Sequence, residues 1–217
     1  MLFRSVLEIG CGWGGFAEAA VARGLSVTGL TLSTEQLHFA RERLAGRRGP
    51  GRAEFVLRDY RDEQGSYDGI ASVEMFEAVG EKFWPVYFSK VAERLKAGGV
   101  AGLQVITIQD RFFEGYRREI DYIRRYIFPG GMLPSIERFH AMAQQHGLEV
   151  CNTFSFGQDY ATTLHLWRQQ FLQQLPQERA QGFDDAFIRT WEFYLVYCEA
   201  GFRSGNISVA QFTLRKP

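Results

Sequence analysis

The sequence predicts an α/β fold: a doubly wound, Rossmann-like sheet with a helical insertion over its carboxyl edge. Three observations carry this expectation. Short apolar runs alternate with stretches of helical period through the first half of the chain. The first run, Val6-Leu7-Glu8-Ile9, passes into the glycine-rich turn Gly10-Cys11-Gly12-Trp13-Gly14-Gly15, which aims the N-terminus of the next helix at a ligand. After Ile108 the alternation gives way to an aromatic and arginine-rich stretch, Gln109–Phe128, too long for a simple loop.

Taken in order, the first strand leads to a helix over Phe16–Arg23, stopped by Gly24, and to a second strand, Ser26–Leu30. Ser33 and Gln36 have the spacing of a capping box for a helix running to Leu44, before a Gly/Arg/Pro loop at 46–51. Ala53–Leu57 and Tyr67–Val73 read as strands three and four. A helix over Phe83–Lys96, stopped by Gly98-Gly99, precedes a fifth strand, Val100–Ile108. This alternation predicts a parallel sheet. Ser135 caps a helix to His146, Glu149–Phe156 is a sixth strand, Asp159–Arg203 is mainly helical, and Ile207–Leu214 is a seventh strand. The 217 residues form one domain, with helical insertions at 109–134 and 158–205.

The balance of 25 basic and 25 acidic residues leaves no electrostatic footprint for nucleic acid. Cys11, Cys151 and Cys198 lack metal-ligand spacing, which predicts reduced thiols, a cytoplasmic setting and no metal site. No run approaches the ~20 apolar residues of a membrane span, so contact with a membrane is expected only at its surface.

The glycine turn fits two ligand classes. Gly10, Gly12 and Gly15 match the dinucleotide fingerprint, whereas Glu8, Gly10, Gly12 and Gly14 match the E/D-x-G-x-G-x-G turn of S-adenosylmethionine (SAM) methyltransferases. Glu8 would attract the ammonium of a methionine moiety and repel a pyrophosphate. The second strand also ends in Thr31-Leu32-Ser33, without the acid that a nicotinamide cofactor wants there. Both points favour SAM. Asp59 and Tyr60, after the third strand, fall where an adenine would lie, although Asp59 has an equally plain reading as a turn or cap residue.

Several further stretches resemble one family. They are Val-Thr-Gly-Leu-Thr-Leu-Ser (27–33), Arg-Asp-Tyr-Arg-Asp (58–62), Met-Phe-Glu (75–77), Tyr-Ile-Phe-Pro-Gly-Gly-Met-Leu-Pro-Ser (126–135) and Phe-Gly-Gln-Asp-Tyr-Ala-Thr-Thr-Leu (156–164). With the glycine turn they make the chain similar, over essentially its whole length, to the cyclopropane-fatty-acyl-phospholipid and mycolic acid cyclopropane synthases. The resemblance implies the seven-stranded SAM-methyltransferase sheet. It also implies transfer of the SAM methyl to a cis double bond of an unsaturated phospholipid acyl chain, with ring closure by proton removal.

Carried over residue by residue, the resemblance makes Glu77, Gln104, Ile106 and Tyr160 catalytic, grouped around a bound bicarbonate. It gives Glu8, Gly10, Cys11, Gly12, Gly14, Thr31, Leu32, Gln36, Asp59 and Tyr60 to the cofactor. Gln104 stands where the family commonly has His, and Gln cannot carry charge or shuttle a proton near neutral pH. A methyl-branched or methylene product is therefore the alternative to a ring. The family carries a segment before the first strand, so the resemblance reads this chain as a fragment or start-site truncation, and an inactive remnant is a further alternative. It also implies peripheral contact with the inner membrane face and a homodimer. Arg117, Arg118, Arg124 and Arg125 are expected either to face lipid phosphates or to form a solvated helix face.

Overall fold

The structure is a computed structural model and describes residues 5–46 and 50–217. Strand β1 (Ser5–Ile9) is followed by α1 (Gly15–Ala22), β2 (Ser26–Thr31), α2 (Thr34–Leu44) and β3 (Arg52–Leu57). The loop expected at 46–51 falls partly on residues 47–49, outside the described residues. The chain continues through β4 (Tyr67–Val73), α3 (Trp84–Arg94), β5 (Leu95–Ile108), α4 (Asp110–Arg118), α5 (Ile136–Gln145) and β6 (Glu149–Ser155). Helices α6 (Gly157–Gln173), α7 (Leu175–Ala180) and α8 (Asp185–Arg203) precede β7 (Ile207–Arg215). The seven strands form one sheet in the order β3-β2-β1-β4-β5-β7-β6.

The expectation of a parallel sheet fails at one strand. β7 runs antiparallel to both β5 and β6. The cause lies in the connection before it. A single crossover helix returns the chain to the opposite edge of the sheet, so the next strand is parallel. Here α6 runs out and α8 runs back beside it, as Gln158 Nε2 donating to Phe202 O and Arg168 pairing with Glu192 show. The pair therefore delivers β7 to the edge that β6 left.

Two local expectations are also corrected. Helix α3 ends at Arg94 and not at Lys96. Leu95 is extended and buried and already pairs with Tyr67, so Gly98-Gly99 lie within β5 near a register shift and do not stop the helix. Only half of the capping box forms: Ser33 Oγ accepts from Gln36 N at 3.2 Å, while the Gln36 side chain turns to Thr31 Oγ1 at 2.8 Å. The insertion after β5 is α4 followed by a π-helical turn, Ile123–Ile127.

The strands bury different neighbours on their two faces. Leu103, Val105, Ala210, Phe212 and Leu214 join the main core with Tyr87, Phe88 and Phe139, whose ring stacks on Phe212 at 3.9 Å. Ile106 and Val209 instead face a smaller cluster under α6 and α8, with Ala161, Leu164, Leu195 and Phe202. Because side chains alternate along a strand, Gln104 and Gln211 share this second face. A third cluster of small residues, including Cys11, Ala17, Ala20 and Ala40, lies under the glycine turn with Phe55. This leaves Cys11 as a packing residue.

Candidate active site

The carboxyl ends of β1 and β2 and the loops after β3 and β4 enclose a cavity of about 580 Å³. Of the expected cofactor residues, Gly10, Thr31, Leu32, Gln36, Asp59 and Tyr60 line it, together with Ile9, Leu30, Met75 and Phe83 among others. Cys11, Gly12 and Gly14 build the turn behind this wall. Gly10 has φ +80°, and a Cβ there would come within 2.8 Å of the Met75 side chain, so only glycine lets β1 turn against the β4 loop. Thr31 Oγ1 accepts from Ser33 N and donates to Gln36 Oε1, which leaves the Gln36 amide nitrogen for a ligand. Asp59 caps the short turn Tyr60–Asp62 and pairs with Arg61 at 2.6 Å. Its plain reading as a cap is thus realised at the cavity wall.

Glu8 lies one residue behind this lining, 3% exposed, and its Oε2 has no hydrogen-bond partner among the described residues. Burial pushes its carboxyl up to about 8. A buried carboxyl oxygen without a donor beside an open cavity fits a cationic ligand group, and the methionine ammonium of SAM is such a group. The turn, the Thr31–Gln36 pair and Glu8 thus fit SAM. Among the described residues, no group of three or more His, Cys, Asp or Glu side chains is placed to hold a metal.

The four expected catalytic residues come together just beyond this cavity, with a fifth that sequence reasoning missed. Glu77, in the turn after β4, accepts from Ile106 N at 2.5 Å through Oε1. Its Oε2 is enclosed and has no partner among the described residues. Burial first, with the nearby Glu74 carboxylate adding to it, raises Glu77 to about 7 despite the Ile106 hydrogen bond. Gln104 and Tyr160 do not turn to Glu77. Gln104 Nε2 donates to Glu74 Oε1 at 2.8 Å, and the Tyr160 hydroxyl donates to Glu74 Oε2 at 2.7 Å. Burial and the charge of Glu74 raise the Tyr160 hydroxyl well above the ordinary tyrosine range, so it acts as a donor.

Glu74 is also the one described non-glycine residue with positive φ, at +51°. A left-handed conformation costs a residue with a side chain about 1 kcal/mol or more. Here Glu74 N donates to Gln104 O at 2.8 Å, which locks the backbone where it aims the carboxylate between Gln104 and Tyr160. The expected bicarbonate cradle is therefore filled by the chain itself. Gln104 and Tyr160 are taken by Glu74, and Ile106 N by Glu77, so these residues do not fit the ion. The sequence signal for Glu74 was its place immediately after strand four, at the carboxyl edge where open α/β sheets bind ligands.

The mixed sheet, the glycine turn at its carboxyl edge and the buried acid behind it define the class of SAM-dependent methyltransferases. Within that class, the mycolic acid cyclopropane synthetase family model matches residues 4–212. The chain belongs to this family. It is 45% identical over 210 residues to the tuberculostearic acid methyltransferase UfaA1 of Mycobacterium tuberculosis, covering 96% of this chain and 49% of that protein. It is 37% identical over 208 residues to the cyclopropane-fatty-acyl-phospholipid synthase of Escherichia coli, covering 95% of this chain and 52% of that one. The crystal structure of mycolic acid cyclopropane synthase CmaA1 complexed with SAH and CTAB superposes with a TM-score of 0.91 at 30% identity, covering 98% of this chain and 78% of that chain. The chain spans about half the length of the curated relatives it matches.

Proposed function

We propose that the chain methylates the cis double bond of an unsaturated phospholipid acyl chain, with Glu74 as the base that takes the final proton. The observation that carries this is the Glu74 carboxylate, held on both oxygens by neutral donors at the carboxyl edge of the sheet. When bound, SAM supplies an electrophilic methyl group. Glu8 would meet its ammonium, and the wall from Gly10 to Gln36 would hold the rest. The alkene π pair forms the new carbon–carbon bond while the sulfonium C–S pair stays on sulfur, leaving a carbocation. The rings of Tyr160, Trp167 and Tyr194 give it aromatic surface that stabilises positive charge without attacking it; Tyr160 and Trp167 lie 6.4 Å apart. Loss of one C–H proton to Glu74 then leaves that electron pair to close a ring or a new double bond.

A cyclopropane and a methylene branch balance equally well here. A saturated branch needs a hydride that SAM does not carry. The exchange of an ion for a fixed carboxylate, with Gln104 in place of His, favours the methylene outcome as a second reading. The base then sits at one fixed point and selects which proton leaves. The greater identity to a protein named for tuberculostearic acid, 45% against 37%, supports a branch over a ring.

The test is mass spectrometry of acyl chains from a bacterium that lacks its own synthase and expresses the protein. The expected product is one methylene heavier than its precursor. Resistance to mild hydrogenation identifies the ring, and uptake of hydrogen identifies the methylene branch. Glu74→Gln should abolish the product while SAM binding, measured by calorimetry, is kept. Full turnover by Glu74→Gln rules out the assigned base.

A further inference from the structure

We infer that Gln211 is a positioning residue that fixes the sense of the Gln104 amide and thereby keeps the Glu74 carboxylate in place. This rests on the reading of Glu74 as the base. Gln211 stands on β7 directly opposite Gln104 on β5. In an antiparallel pair such residues have neighbouring Cβ atoms on one face of the sheet. Gln211 Nε2 donates to Gln104 Oε1 at 3.0 Å, and Gln104 Nε2 donates to Glu74 Oε1 at 2.8 Å. The donors therefore run in one direction, from Gln211 through Gln104 to Glu74.

The direction matters because an amide has two unlike ends. Its nitrogen donates and its oxygen only accepts, and the two exchange places by a half turn of the group. With nitrogen toward Glu74 the carboxylate gains a hydrogen bond. With oxygen toward it, two acceptors face each other. A histidine cation in this position would donate from either ring nitrogen, but Gln104 has no such insurance. Gln211 removes the ambiguity by occupying the amide oxygen. It is exposed, and it does not line the cofactor cavity, so its effect passes through Gln104.

Gln104 is held from its other side as well. Its backbone carbonyl accepts from Glu74 N, so strand β5 and the Glu74 residue are tied both at the backbone and through the side chain. Tyr160 supplies the other donor to the carboxylate from α6. Losing the sense of the Gln104 amide would leave Glu74 on Tyr160 alone, free to swing about that bond.

The experiment compares Gln211→Leu, Gln211→Glu and Gln211→Lys with the parent protein. Leucine and glutamate cannot donate to the Gln104 oxygen, whereas lysine can. The direct readout is the pair of Gln104 side-chain amide protons in a ¹H–¹⁵N spectrum, assigned by their loss in Gln104→Leu. In the parent and in Gln211→Lys, one proton should be shifted downfield and protected from exchange by the carboxylate. In the leucine and glutamate variants that shift and protection should be lost. On turnover, those two variants should lose roughly tenfold in kcat, the scale of one hydrogen bond to a charged group. KM for SAM and the melting temperature should stay unchanged, and lysine should restore kcat.

Gln104 protons that are identical in all four proteins overturn the inference, whether or not turnover changes. A parallel fall in kcat, KM and melting temperature that lysine does not restore assigns Gln211 a merely structural role and also overturns it. The base reading fails separately, if Glu74→Gln keeps its turnover while the Gln104 protons respond to Gln211 as described.

Discussion

Glu8 shows how one enclosed carboxyl couples the cofactor to pH. Its carboxyl titrates near 8 in the folded chain against an ordinary 4.5. Between these values the folded chain keeps a proton that the unfolded chain releases. The ligand-free protein should therefore lose stability as pH rises from about 4.5 to about 8, with Glu77 adding the same sign up to about 7. An ammonium beside Glu8 selects its ionised form, so SAM affinity should fall by up to about tenfold per unit as pH drops below 8. Calorimetry at about pH 6 and about pH 8 checks this, and Glu8→Gln should flatten the dependence. Glu77→Gln keeps an oxygen for Ile106 N yet loses the charge, and it should cost product with SAM binding largely retained. At this scale the sequence named much of the candidate site. Glu77, Gln104, Ile106 and Tyr160 could be placed from motifs. The roles proposed for Glu74 and Gln211 could not be read from sequence, because their partners lie 86 residues away at Tyr160 and 107 away at Gln104. Nothing local announces either contact.

Helix ends and strand starts followed from local chemistry where the chemistry is local. Ser33 caps α2 and Ser135 caps α5, each side chain accepting from the backbone three residues on. Ser33→Ala should cost about 1 kcal/mol in chemical denaturation. The helix expected to end at Lys96 went astray because paired glycines mark a helix stop and a strand irregularity alike. The π-helical turn after α4 was legible only as something helical. It packs Tyr122 against Phe193 at 4.6 Å and leaves Tyr126 and Phe128 exposed, with the Arg125 guanidinium over the Tyr126 ring. Met132 N donates to Glu77 O at 2.8 Å, which ties this segment to the turn that carries Glu77. Amphipathic aromatics interleaved with arginines suit a bilayer interface of anionic phospholipid. No helix of the described residues is long and apolar enough to cross a membrane. The double substitution Arg118→Glu with Arg125→Glu should weaken co-sedimentation with phosphatidylglycerol vesicles and leave SAM binding alone. Equal sedimentation of both proteins counts against this face.

Across the whole molecule, the main core holds a cluster of aromatic rings that ties α3, α5 and β7 together. Phe139 touches Phe76, Phe88 and Phe212 and is fully buried. Phe139→Ala should cost about 3–5 kcal/mol in denaturant unfolding, the range for emptying an aromatic site that cannot collapse. Seven strands were legible from spacing, whereas the reversed one was not, since its direction depends on how two helices pair. That reversal has a consequence for synthesis. Among the described residues β6 pairs only with β7, and β5 pairs with β7 from Val100 to Ile108. A nascent chain therefore carries an open seam one strand in from the β6 edge of its sheet until residue 215 has left the ribosome. Two unpaired edges face each other across that seam, open to any foreign strand that arrives first. β7 is the strand that closes it, and it brings Gln211 beside Gln104 in the same movement.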